Sequence, residues 1–73
     1  MAVQVSFRLP WRMEKFSVPL PASNASVADV LAPLMDERSK DSTFKVLNGR
    51  VCFDDDRIAD DDCIQVLPII LGG

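Results

Sequence analysis

Gly72 and Gly73 close the sequence, and the carboxylate they carry is the group whose surroundings best suit it to chemistry. With no Cβ, two successive glycines can pass down a channel too narrow for other residues and take backbone angles closed to them. That suits a carboxylate handed to another protein's active site. The plain alternative is a chain end where glycine has no task. Histidine is absent altogether, which removes the usual general base, most zinc ligand sets and every Ser-His or Cys-His nucleophile pair. A self-sufficient hydrolase is therefore not expected.

The elements that must hold such a terminus have little room. With 73 residues the chain makes one domain, residues 1–73, in which every large apolar residue is expected to serve the core. Its eleven acids are bunched and its eight bases scattered, for a net charge of −3, which points away from nucleic acid and toward a basic protein surface. Asp54, Asp55 and Asp56, and again Asp60, Asp61 and Asp62, lack the ladder and distant Glu of a calcium loop, so solvated turns are expected and no metal site. No apolar run approaches the roughly 18 residues that span a bilayer, and the first residues lack the pattern of a secretory signal, so a cytoplasmic protein with no membrane partner is expected. Cys52 and Cys63 then read as free thiols with structural roles.

Val3, Val5, Phe7 and Leu9 alternate with Gln4, Ser6 and Arg8, the period of a half-buried strand. Pro10, Trp11, Arg12 and Met13 interrupt the pattern as a hairpin turn, and Phe16, Val18 and Leu20 resume it in an antiparallel second strand whose Pro19 marks an edge. After the loop around Pro21, Ser26 and Asp29 form a capping-box pair ahead of a helix starting at Val27. Val27, Val30, Leu31, Leu34 and Met35 make one apolar stripe, interrupted by Pro33, which costs roughly 3 kcal/mol in a helix interior and predicts a kink or break. Residues 36–42 are polar and read as the way out of the helix. Phe44, Lys45, Val46 and Leu47 have strand composition, Asn48-Gly49 is a type I′ hairpin signal, and Val51, Cys52 and Phe53 return. Ile58 plugs the core between two aspartate turns, and a last strand runs from Cys63 to Leu67 with Ile64 and Val66 inward. The order is β-β-α-β-β-β, an α+β fold with one helix packed across a mixed sheet of four to five strands.

Four pieces, Val46-Leu47-Asn48-Gly49-Arg50-Val51, Ile58-Ala59-Asp60-Asp61-Asp62, Ile64-Gln65-Val66-Leu67-Pro68 and Gly72-Gly73, resemble in order and spacing the V-N-G, L-x-D-G-D, V-x-x-x-P and G-G of the β-grasp sulfur carriers. These relatives of ubiquitin include the small subunit of molybdopterin synthase and the thiamine-pathway carrier, and the resemblance, nearest the molybdopterin type, covers essentially the whole chain. Asp61 stands where that family has glycine, although Asp tolerates a left-handed turn. Ile69 replaces a frequent second proline and Leu71 a small residue.

The resemblance implies a ubiquitin-like β-grasp fold with residues 68–73 as a flexible tail. It also implies that the Gly73 carboxylate, reached through Gly72, is adenylated by an ATP-dependent activating enzyme and becomes a thiocarboxylate. Its sulfur would come from a sulfurtransferase or persulfide donor and pass, with an acceptor synthase subunit, to molybdopterin, thiamine thiazole or another metabolite. Joining the carboxylate to AMP supplies the leaving group that a thiol or persulfide displaces. ATP belongs to the partner, no bound cofactor is expected, and the chain itself is expected to be a carrier or the small subunit of a synthase and not an enzyme on its own. Pro68, Ile69, Ile70 and Leu71 are the expected partner-binding residues, docking in a groove as an added strand, because a bare apolar tail is otherwise a liability. Two other readings remain open: a modifier joined to lysines, with Lys15, Lys40 and Lys45 as its own chain-forming sites, and a noncovalent β-grasp interaction domain.

Overall fold

The alternation of Val3, Val5, Phe7 and Leu9 buries all four on one side of the first strand, β1 (Ala2–Leu9). The structure, a computed structural model, describes residues 2–69, with Arg38 described through its backbone alone. After β1 come β2 (Arg12–Pro19), α1 (Val27–Leu31), α2 (Glu37–Asp41), β3 (Thr43–Leu47), β4 (Arg50–Cys52) and β5 (Cys63–Pro68). The five strands form one mixed sheet in the order β2-β1-β5-β3-β4, with β2 at an edge as Pro19 suggested. Only the central pair β1 and β5 is parallel; the other neighbours are antiparallel.

One face of the sheet is covered. Val27, Val30 and Leu31 of α1 pack on Val3, Val5, Phe7, Leu9, Ile64 and Val66, with Ile58 and Cys52 closing the far side. Ile64 and Val66 point inward as expected, and Ile58 is 3% exposed, the plug that its isolation between two turns predicted. The capping box forms in full: Asp29 N–H donates to Ser26 Oγ, and Ser26 N–H donates to Asp29 Oδ2. Two further amides at this end of α1, Val27 and Ala28, donate to the carbonyls of Asp56 and Asp54, so the aspartate loop satisfies donors that a helix start leaves open.

The expected single helix is two. α1 ends at Leu31 because Pro33 has no N–H to offer Asp29, and the Leu34 and Met35 amides both fall back on the Leu31 carbonyl. Leu34 and Met35 still pack on the core, so the apolar stripe is kept although the helix is not. The polar run after it forms α2, which the sequence reading left as a connection. Asp36 is its cap, extended at φ −105° and accepting the Ser39 amide on Oδ1 at 2.8 Å.

The hairpin turn is also tighter than expected. Leu9 pairs with Arg12, so only Pro10 and Trp11 turn, and Arg12 and Met13 belong to β2. Arg12 hid this because it stands where alternation calls for an apolar residue. Its guanidinium lies 3.8 Å from the Phe7 ring centroid, is paired with Glu14, and donates from Nη1 to the Leu34 carbonyl at 2.7 Å. One cation thus stacks on the core, itself stiffened by the edge-to-face Phe7–Phe16 pair, and satisfies a carbonyl in the segment that Pro33 broke open.

Arg12→Ala is expected to lower stability by about 2 kcal/mol in urea unfolding, from the lost stacking and the lost charged hydrogen bond. Arg12→Lys should recover less than half of that, since an ammonium neither stacks as a plane nor forks.

Candidate functional site

The expected acting groups hang from the end of β5, so what fixes β5 fixes the site. Its first residue is held by Asn48: Cys63 N–H donates to Asn48 Oδ1 at 2.9 Å, and Asn48 N–H donates to the Cys63 carbonyl at 2.9 Å. Asn48 Nδ2 donates to Asp62 Oδ1 at 2.9 Å, while Asp62 Oδ2 accepts the Ala59 amide at 2.7 Å. Asn48 can do this because it sits in the left-handed region, φ +50°, followed by Gly49 at +86°, the two positive angles a type I′ turn requires. A Cβ on Gly49 would meet nothing within 4 Å, so glycine is there for its backbone angle and not for space.

The aspartate turn before β5 is tied to β1. Asp61, at φ +68°, takes the left-handed position for which the sequence resemblance leads one to expect glycine, and its amide donates to the Ala2 carbonyl at 2.9 Å. Asp60 Oδ1 accepts from the Ala2 amide at 2.8 Å, and the Asp62 carbonyl accepts from Gln4 at 3.0 Å. Asp56 likewise accepts the Phe53 amide, and Asp54 pairs with Lys45 at 3.0 Å. These carboxylates close turns, and among the described residues no group of three or more His, Cys, Asp or Glu is placed to hold a metal ion.

At its other end β5 runs one residue further than expected, with Pro68 opposite Thr43. The Ile69 amide still donates to the Ser42 carbonyl at 2.9 Å, so Ile69 turns its hydrogen bond toward β3. Pro68 therefore turns its missing N–H toward β1, past the last β1–β5 pair, Phe7 with Val66, and costs the ladder nothing. Of the expected site residues, Pro68 is thus a half-buried strand residue and not part of a tail, and Ile69 is 42% exposed beside it. Ile70, Leu71, Gly72 and Gly73, with the tail expected there, lie outside the described residues. From Ile69, four more residues reach at most about 14 Å.

The two thiols are free and on opposite faces: Cys52 is buried on the core side of β4, and Cys63 is exposed on the other side of the sheet. Burial pushes the Cys52 thiol above its ordinary pKa, with Asp56 adding to the effect. Among the described residues no helix is long and apolar enough to cross a membrane.

No protein-family model and no curated protein matches the sequence. Solved structures do match the fold. A chain from the complex of subunits 1 and 2 of the molybdopterin-converting factor of Helicobacter pylori 26695 superposes with a TM-score of 0.72 at 27% identity, covering 100% of both chains. SAMP1 of Haloferax volcanii, a ubiquitin-like small archaeal modifier, superposes with a TM-score of 0.81 at 17% identity, again covering 100% of both. The chain has the ubiquitin-like β-grasp fold. Its likeness to the molybdopterin-type β-grasp sulfur carriers, read from four short pieces of sequence, extends in three dimensions over the whole chain.

The β-grasp's final strand is set by side chains that the sequence reading treated only as turn formers. Asn48→Ala is expected to cost about 2 kcal/mol in urea unfolding, about 1 for each lost side-chain hydrogen bond. In the native protein a thiol reagent such as DTNB should modify Cys63 promptly and Cys52 only on unfolding; equal native rates would contradict the burial of Cys52.

Proposed function

We propose that this chain is a sulfur carrier whose acting group is the Gly73 carboxylate. The observation that carries the reading is the whole-length likeness, at 27% identity, to a chain of the molybdopterin-converting factor complex. In the proposed cycle an activating enzyme joins the carboxylate to the α-phosphate of ATP, releasing pyrophosphate. A persulfide from a sulfurtransferase attacks the acyl carbon and AMP leaves. Reductive cleavage of the S–S bond by a second thiol of the sulfur donor then leaves a thiocarboxylate on Gly73 and a disulfide on the donor. The acceptor is a molybdopterin precursor held by a synthase subunit, with thiamine thiazole or another sulfur-containing metabolite as less favoured destinations. The domain contributes no catalytic side chain and acts as a handle, with Pro68, Ile69, Ile70 and Leu71 engaging the partner and Gly72 fitting its narrow channel. Dependence on ATP and a persulfide donor assigns the cycle to the cytoplasm.

A second reading, conjugation of the same activated terminus to lysines of other proteins, is supported by the likeness to SAMP1. Activation is common to both, and only the attacking group differs.

Intact-mass analysis of protein isolated from its native cells separates them. The carrier reading expects a species heavier than the free acid by the difference between sulfur and oxygen, which reverts on hydrolysis. Lysine-linked adducts in place of that species would favour the modifier, and a terminus found only as the free carboxylate, with neither, would overturn both.

A further inference from the structure

Asn48 is followed by glycine, whereas Asn24, the other asparagine, is followed by alanine. The difference bears on a reaction of the chain with itself. A deprotonated main-chain nitrogen attacks the side-chain carbonyl carbon of the asparagine before it, and glycine, with no side chain to crowd the approach, presents the most open such nitrogen. As the ring C–N bond forms, the carboxamide C–N bond breaks, and the proton taken from the glycine nitrogen ends on the departing ammonia. The five-membered succinimide left behind is opened by water at either carbonyl, giving aspartate or isoaspartate. Solvent water and a hydroxide or buffer base are the only co-reactants.

Asn48 and Gly49 are both exposed, so base and water reach them, and exposure alone would make this a fast site. The folded chain opposes the reaction in two ways. Ring closure needs Asn48 Cγ and the Gly49 nitrogen nearly eclipsed about the Cα–C bond, and a left-handed residue, which Asn48 is at φ +50°, keeps them well apart. The carboxamide is also pinned toward β5, with Oδ1 accepting from Cys63 N–H at 2.9 Å and Nδ2 donating to Asp62 Oδ1 at 2.9 Å. Turning it over would set its NH2 against an N–H and its oxygen against a carboxylate, so it has one orientation here. Asp62 is itself fixed by the Ala59 amide at 2.7 Å.

The product does not fit the place it is made in. An aspartate at position 48 keeps the acceptor for Cys63 N–H but loses the donor to Asp62, and sets two carboxylates face to face. An isoaspartate also adds a main-chain carbon to the two-residue turn between Leu47 and Arg50, which are paired across the hairpin. A molecule that has reacted therefore refolds with the start of β5 less firmly held.

We propose that Asn48 is a modification site gated by folding. Its side-chain amide survives while the tie to Asp62 and Cys63 is closed, is hydrolysed when the start of β5 opens, and once hydrolysed leaves that tie permanently weaker. This holds whatever the terminus does.

The test is peptide mapping of the full chain after incubation in mildly alkaline buffer, with and without denaturing guanidinium, separating asparagine, aspartate and isoaspartate at positions 48 and 24. Asn48 is expected to react about tenfold or more slowly in the folded chain than in the denatured one, since reaction must wait for local opening. Asp62→Ala, with folding verified by circular dichroism, should move the native rate at Asn48 toward the denatured rate and leave Asn24 unchanged. Asn48→Asp, one of the two products, should lower the folding equilibrium constant about tenfold. Adding Asp62→Asn should restore most of it, because the carboxamide at position 62 then donates to the carboxylate at position 48 while its oxygen still accepts from Ala59. Equal rates at Asn48 in folded and denatured chain, a native rate untouched by Asp62→Ala, or a double variant no more stable than Asn48→Asp alone would each overturn the proposal.

Discussion

β5 can lie parallel to β1 in the middle of the sheet only because both of its ends are tied to something else. At its start the carboxamide of Asn48 receives the first amide of the strand and passes a hydrogen bond on to Asp62, while Asp60, Asp61 and Asp62 bind the backbone of Ala2 and Gln4. At its finish Ile69 still reaches Ser42. Between these points Ile64 and Val66 are fully buried against the β1 core residues and the α1 stripe. A parallel pair has no hairpin to set its register, so here the two turns do that work from either side. The direction in which the chain leaves the domain is a consequence of that register.

The same constraint explains why the aspartates are where they are. Six carboxylates in two short runs would repel one another in an unstructured loop, yet four of them are spent on particular donors: Asp54 on Lys45, Asp56 on Phe53, Asp60 on Ala2, and Asp62 on Ala59 and Asn48. Asp61 supplies the left-handed backbone angle. What is left over, Asp55 and the exposed side of Asp54, is surface charge, and it sits beside the exposed Phe53. Apolar residues on one face of the sheet form the core, and Phe44, Val46, Val51 and Leu67 lie on the other.

Much of this was legible in the sequence because it depends on local rules. Alternation marked β1 and β5, the Asn48-Gly49 pair marked its hairpin, Ser26 and Asp29 marked the start of α1, and Pro33 marked its break. What was not legible depends on partners distant in sequence. Arg12 lies on the core side of β2 because Phe7 and the Leu34 carbonyl are there to receive it, which no window around residue 12 contains. α2 has no apolar stripe and is held by its Asp36 cap and by Thr43 Oγ1 donating to the Ser39 carbonyl. In β3 the apparent pattern is inverted: Lys45 shares the inward side with Thr43 and Leu47, while Phe44 and Val46 face out. Apolar residues on both faces of a short strand give no clue to which face is covered.

In the proposed reading the domain acts through its terminal carboxylate. The most direct measurement is ATP–pyrophosphate exchange by an activating enzyme of the ubiquitin-activating type, supplied with the chain bearing either a free or an amidated Gly73 carboxylate. Exchange is expected with the free terminus and not with the amidated one, which has lost the anionic carboxylate oxygen that attacks the α-phosphate and keeps only a neutral, weakly nucleophilic amide oxygen. Exchange that is equal for the two forms, or absent for both, would contradict the assignment of the terminal carboxylate as the acting group.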